Sequence, residues 1–315
     1  MDSNVESNKM ALQKLATQFF SRNYDYLWLK TMLDQAGKSN TQGSTLIVGS
    51  SHALNGIKED CWSRAFNCSM HSQDIYYDFQ CARRVLDSAE KGIFSRCFIV
   101  MGYYIAYQDL SLSKVSRETV ISNIYYPIFR DAHNWTDPSH RSLWDGLGDT
   151  PEPIKNLCSQ LAAQKLLEYG TYYSEIRPRG TLFDLKGRVW AEVPSSERMA
   201  MGQARAADHN KIFQHKESLE ENKEIIKQFV AYLYEHEVQP IVVITPFSAE
   251  YNRFVLPEMK AGVLELLDAV PQDIHYVDFN QALDLFDAAD FMDTDHLSAR
   301  GAEKMSAILT EMFGV

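Results

Sequence analysis

The chain has 315 residues, with 31 Lys and Arg against 42 Asp and Glu and a formal charge of −11. That acidic balance, without any long Lys/Arg run, excludes a dedicated nucleic-acid binder, which needs a basic stripe to neutralise phosphates. No apolar run approaches the ~20 residues of a bilayer-crossing helix, and 45% apolar with 12% aromatic residues suits one large α/β domain with extensions, or two domains.

The N-terminal residues 1–8 carry neither a basic region nor an apolar one, so no secretory signal is read there and a cytoplasmic protein without a membrane span is expected. From Met10 to Leu33, Leu12, Leu15, Phe19, Tyr26, Leu29 and Leu33 recur at helical steps. This predicts a helical arm closed by Ala36-Gly37, with arm and linker over residues 1–43 and an α/β domain over 44–315. Thr45–Gly49 is a short continuous apolar run ending in glycine, the pattern of a strand buried on both faces of a parallel sheet. Cys97–Gly102, Pro240–Thr245 and His275–Phe279 repeat it, separated by amphipathic stretches at Asp74–Glu90, Leu219–Tyr234 and Ser298–Phe313. Strands alternating with helices predict a doubly wound, mainly parallel sheet flanked by helices, with ligands at the C-terminal strand ends. Residues 103–215 break this rhythm with three Trp, many Tyr and the breakers Pro127, Pro138, Pro151, Pro153, Pro178 and Gly180, and are read as an insertion: either a lid or substrate wall, or an irregular structural segment. The five cysteines (Cys61, Cys68, Cys81, Cys97, Cys158) show no C-x-x-C spacing and suit reduced, mostly buried thiols.

Two blocks carry chemistry. Gly49-Ser50-Ser51-His52 follows the first strand, where glycine permits a tight turn and a serine is presented at the sheet edge; ordinary turn chemistry is the alternative. Asp293-Thr-Asp-His296 precedes the last helix, which Ser298 can cap. The three-residue spacing lets Asp293 hold one ring nitrogen of His296 while the other takes a proton from a serine. The same acids Asp290, Asp293 and Asp295 also suit a solvated helix start, or, with His296, a metal site.

On these two blocks the chain resembles the SGNH (GDSL-like) hydrolase superfamily, in particular its bacterial branch whose first block reads G-S-S-H. The likeness covers about residues 44–100 and 219–313. It implies a flavodoxin-like SGNH hydrolase fold with Ser51 as nucleophile, His296 as base and Asp293 as its orienting acid. Phe66-Asn67-Cys68-Ser69 resembles the second block and puts Ser69 where a backbone N–H meets the oxyanion, beside that of Ser51. The third block normally supplies an asparagine; here Gly102-Tyr103-Tyr104-Ile105 has Tyr104 in that place. Val242–Pro246 and Tyr251 match the strand and turn before the last elements.

Other residues have two readings each. His52, His71 and Gln73 are candidates for touching substrate, and His52 equally for packing. Ser72 or Asp74 can cap a helix. Asp208-His209-Asn210 is read as solvated. The pairs Tyr76-Tyr77, Tyr103-Tyr104 and Tyr125-Tyr126 suit carbohydrate stacking or the core. The resemblance implies acyl-ester chemistry, as an esterase or an O-acetyltransferase, on a small-molecule or glycan ester, since the G-S-S-H branch is associated with polysaccharide modification. No cofactor or metal is expected beyond an acyl donor such as acetyl-CoA in a transferase. The alternatives are a weak or inactive glycan-binding relative, suggested by the missing asparagine, and a nucleotide-binding α/β protein, disfavoured because G-x-G-x-x-G and the P-loop are absent. Oligomeric state is not legible.

Overall fold

The computed structural model describes residues 24–113, 120–121, 124–135 and 189–314. Chain contacts divide it into two units, Met1–Met32 with Leu110–Ile176, and Leu33–Asp109 with Arg177–Val315. In the first unit, the described residues include the start of helix α1 (Tyr24–Ala36), the turn Leu110–Leu112 and the helical turn Tyr126–Phe129, with Tyr26, Leu29, Ile121 and Tyr125 buried. Leu12, Leu15 and Phe19 of the expected arm, Trp144, Cys158 and the bulk of the expected insertion lie outside the described residues.

The second unit is the α/β body. Its strands are β1 (Ser44–Gly49), β2 (Ala65–Asn67), β3 (Phe94–Met101), β4 (Gln239–Ile244) and β5 (His275–Asp278). They form one sheet in the order β2-β1-β3-β4-β5, every pair parallel. This is the flavodoxin-like order, in which the chain reverses direction across the sheet beside β1 and β3 and leaves a crevice at their C-terminal ends. The expected strands appear within three residues of their predicted bounds. The three-residue β2 is too short to announce itself by hydrophobic periodicity.

The central strands are buried on both faces, which is why they read as unbroken Leu/Ile/Val/Phe runs. Alternation divides their side chains. Ile47, Phe98, Val100, Ile241 and Val243 join one core with Ala302, Met305 and Leu309 of the last helix, α8 (Ala299–Phe313). On the opposite face lie α3 (Ile75–Leu86) and α5 (Lys216–Glu235), whose Phe79 and Phe229 stack at 5.1 Å. Asp74 caps α3 by accepting from the Tyr77 N–H, and Ser298 caps α8 by accepting from the Gly301 N–H. Between α3 and α5 in the chain comes α4 (Ser195–Asn210), inside the segment read as an insertion. Its Gly202, Ala206 and His209 form one buried stripe at helical spacing, so this part of the expected insertion is regular and packed on the α/β body. The stripe meets α6 (Ala249–Asn252); a Cβ on Gly202 would lie 2.6 Å from the Glu250 backbone, so glycine is what lets the two backbones approach. Then α7 (Pro257–Asp268) leads to β5.

Four cysteines are free thiols, Cys68, Cys81 and Cys97 fully buried and Cys61 partly so; burial raises all four thiol pKa values. No described helix is long and apolar enough to cross a membrane.

Gly49 ends β1 at φ +148°, and a Cβ there would fall 2.1 Å from the Val100 carbonyl oxygen of the neighbouring strand. Gly92 also has positive φ, +85°, but faces open space. Gly49→Ala should therefore cost roughly 3 kcal/mol or more in urea unfolding, through clash and strain together. Gly92→Ala should cost only about 1 kcal/mol, from strain alone.

Candidate active site

The turn after β1 is built before any chemistry is added. Gly49 gives the sharp exit; Ser50 then caps the short helix α2 (Ser51–Gly56), its side chain accepting from the His52 N–H. Beneath the turn, Asp78 of α3 accepts from Gln73 Nε2 at 2.7 Å and from the Gly49 N–H, and burial pushes its carboxyl well up. Ser51 is thereby held as the first residue of α2, at the switch point of the sheet.

The second part comes from the loop before α8. Asp293 Oδ1 accepts from the backbone N–H groups of Asp295 and His296, at 3.0 and 2.9 Å, closing a tight turn. The same carboxylate lies 3.0 and 3.1 Å from His296 Nδ1. On the far side of the ring, Nε2 lies 2.8 Å from Ser51 Oγ. The fold thus joins residues 245 positions apart into one hydrogen-bonded series. With Nδ1–H donated to the carboxylate, Nε2 presents its lone pair to the serine hydroxyl, the relation that lets a hydroxyl act as a nucleophile. Burial alone would lower the His296 pKa, but the carboxylates of Asp293 and Asp295 and the Asp293 hydrogen bond outweigh it, and the pKa stands above 6.5.

Asp295, which read as part of a solvated helix start, is fully buried. Its carboxylate is paired with Arg205 of α4: Nε lies 3.2 and 3.1 Å from the two oxygens and Nη2 lies 3.1 Å from Oδ2. Burial would raise its pKa, but His296 and Arg205 hold it below the carboxylate range. His209, expected in solvent, is also buried; its Nδ1 is hydrogen-bonded to the Tyr251 hydroxyl and its ring packs 4.0 Å from that of Tyr104. Asp208 is exposed, as expected of that cluster, whereas Asn210 binds the Phe254 carbonyl. Arg205 and α4 itself were missed by sequence reasoning, and neither the burial nor the partners of Asp295 and His209 were foreseen. Arg198, Met201, Arg205, Ala206 and His209 share one helical face, a signal hidden by its low apolar content.

His52 packs as a core residue. Its ring stacks on that of His296 at 4.9 Å and 14°, meets Phe247 edge-on, and its Nε2 lies 3.1 Å from the Tyr104 hydroxyl. Burial first, then the His296 charge, pushes its pKa down to about 3. His52 Nδ1 makes no hydrogen bond among the described residues. Burial pushes the Tyr104 phenol up to about 12.

The remaining candidates are less open to a ligand. The Ser69 N–H donates to Asn67 Oδ1 at 3.2 Å, and its buried hydroxyl has no partner among the described residues. Gln73 turns its amide inward, to Asp78 and to the Cys68 carbonyl at 3.3 Å. His71 is half-buried and no hydrogen bond joins it to Ser51 or His296. Tyr77, Tyr103 and Tyr104 are buried, so in the α/β body these tyrosines face the interior rather than forming an open stacking platform. Tyr103 donates to Asp278 at 2.8 Å, tying the end of β3 to β5.

His52, Asp295 and His296 bring nitrogen and oxygen atoms within 4.8 Å of one another. Imidazole lone pairs lie in the ring plane, and two nearly parallel stacked rings do not direct theirs at one ion. The Arg205 charge on Asp295 opposes a cation further, so the set fits a hydrogen-bonded cluster better than a metal centre.

No family model and no curated protein matches this sequence. Among solved structures the chain is similar to a "putative platelet activating factor from Streptococcus pneumonia", at 13% identity over 96% of this chain and 98% of that one, with a TM-score of 0.41. A likeness of that strength says nothing of activity.

His52 supplies a test of this packing. The unfolded chain protonates near 6.5 and the folded ring near 3, so stability fully present above 6.5 is lost as pH falls from 6.5 toward 3. In His52→Gln, the loss of unfolding free energy between about pH 7 and about pH 4.5 should be smaller than in the parent by about 2 kcal/mol.

Proposed function

We propose that the protein carries out serine-dependent acyl-ester chemistry of the SGNH type, with Ser51 as nucleophile, His296 as general base then acid, and Asp293 orienting His296. The observation that carries this reading is the unbroken series Asp293–His296–Ser51, with contacts of 3.0 and 2.8 Å. His296 Nε2 takes the Ser51 proton as Oγ attacks the carbonyl carbon, and the negative charge moves to the former carbonyl oxygen. Collapse expels the alcohol, which leaves with the proton from His296, and an acyl-serine remains. A second hydroxyl, of water in an esterase or of a sugar in an O-acetyltransferase, then reverses these steps and frees Ser51. The oxyanion donors in this scheme are the N–H of Ser51 and, after release from Asn67, that of Ser69; the Tyr104 hydroxyl, which shares a hydrogen bond with His52 Nε2, is a third candidate. A carbohydrate ester is the substrate class, on the strength of the Gly49–His52 block and its resemblance.

A second reading, a weakly active or inactive glycan-binding protein, has one observation in its favour. Both the Ser69 N–H and the Tyr104 hydroxyl already have internal partners, and a missing oxyanion donor costs ~10²–10³ in rate.

Turnover of p-nitrophenyl acetate should fall on the order of 10⁴-fold or more in Ser51→Ala, with an unchanged melting temperature, whereas Ser50→Ala keeps much of it. A fluorophosphonate should label Ser51 in the parent chain. Acetylated product with a glycan acceptor present would mark a transferase. No labelling, and no difference between the parent and Ser51→Ala, would favour the binding protein.

A further inference from the structure

His296 faces two carboxylates where the acyl-transfer scheme uses one. Asp293 holds Nδ1 at 3.0 Å, and Asp295 Oδ1 stands 3.8 Å from the same nitrogen. Two uncompensated negative charges at that distance would favour the imidazolium, which cannot accept the Ser51 proton. The compensation comes from another element: Arg205 reaches from α4 to both oxygens of Asp295, with its side chain only 19% exposed and that of Asp295 fully buried. Thr294 Oγ1 also donates to Asp295 Oδ1, at 2.7 Å, fixing the carboxylate's rotation.

We propose that Arg205 is a positioning residue for His296: by pairing with Asp295 it offsets the second carboxylate beside the ring and keeps His296 available as a proton acceptor. Asp295 fixes the loop beneath the ring, and Arg205 cancels its charge. This inference rests on the ester-chemistry reading for its purpose, but not for its measurement. The groups facing His296 are Asp293 and Asp295 on its own loop, Ser51 and His52 on α2, and Arg205 and His209 on α4. Tyr104 after β3 and Tyr251 on α6 border the same cluster. His52 and His209 are held neutral, burial being the larger cause, with further lowering by His296 for the first and by Arg205 for the second. Burial raises both tyrosines. Arg205 is therefore the one permanent cation among these groups, and Asp293 and Asp295 are the two anions.

The test is a histidine NMR titration of the full chain, with the His296 signal assigned by its loss in His296→Gln. Relative to the parent, the His296 midpoint should rise by about one pH unit in Arg205→Gln and fall by a similar amount in Asp295→Asn. It should return close to the parent value in the double variant and in Arg205→Lys, which restores the charge. Unmoved midpoints in folded variants, or a fall in Arg205→Gln, would overturn the proposal. Should Arg205→Gln fail to fold, the near-isosteric Asp295→Asn decides alone: its midpoint must fall. The titration needs no turnover, so fluorophosphonate labelling of Ser51 judges the ester reading separately. Where turnover is present, the acid limb of kcat/KM should move to higher pH in Arg205→Gln.

Discussion

The 2.8 Å contact between Ser51 and His296 sets the constraint that the rest of the α/β body satisfies. One partner stands just past the first strand and the other just before the last helix, so the contact forms only if chain ends meet across a sheet. The β2-β1-β3-β4-β5 order and the packing of α8 on the β1 face accomplish this. Gly49 then lets the chain turn close under Val100, and Asp78 with Gln73 props the turn from below. On the other side, Asp293 uses its carboxylate both to close the loop and to hold the ring. Each partner is fixed by backbone geometry before it meets the other, which keeps the contact from depending on side-chain freedom alone.

Burial makes the charges around that contact interdependent. A buried carboxylate is tolerated when paired and hydrogen-bonded, and costly when left alone. Asp293 has backbone N–H groups and His296; Asp295 has Thr294 and Arg205. Because Arg205 is supplied by α4, that helix is required wherever the Asp295 charge is buried. The close approach at Gly202 is what brings the helix near enough, by setting its backbone against that of Glu250, while Arg198 binds Glu250 at 2.7 Å.

How far the sequence disclosed this follows from the range of each signal. The central strands were legible because burial on both faces leaves continuous apolar runs, and the Asp293 and His296 spacing was legible because it acts within one turn. Ser51 was singled out by the resemblance of Gly49–His52 to the first block of a family, because a glycine at a strand end does not by itself choose between Ser50 and Ser51. By contrast, the pairing of Asp295 with Arg205 joins residues ninety positions apart, and neither has a local pattern that names the other. Helix α4 is polar over most of its surface and buries only the narrow stripe of Gly202, Ala206 and His209, so hydrophobic periodicity does not bring it out. His209 misled for the same reason: between Asp208 and Asn210 it looks hydrophilic, yet its helical face points to Tyr251 and Tyr104. The Ser69 backbone donor was located by resemblance, but the side chain that occupies it, Asn67, is a matter of rotamer and packing.

These features separate two requirements of ester chemistry that are met to different degrees. The groups that handle the proton are complete: a lone pair faces the hydroxyl, a carboxylate fixes the tautomer, and the surplus negative charge has its cation. Of the candidate oxyanion donors, the Ser51 amide is joined by two that already have partners, the Ser69 amide with Asn67 and the Tyr104 hydroxyl with His52. Preorganised donors stabilise an oxyanion because no reorganisation is needed when the charge appears. Donors that must first leave another partner stabilise it less, by the cost of that release. In the proposed ester chemistry, substrate binding would have two tasks, placing a carbonyl over Ser51 and freeing the Ser69 donor for its oxygen, and a ligand that accomplished only the first would be held with little turnover. Esterase and glycan-binding behaviour differ, on this account, in whether the ligand displaces Asn67 from the Ser69 amide, a change confined to one hydrogen bond of 3.2 Å.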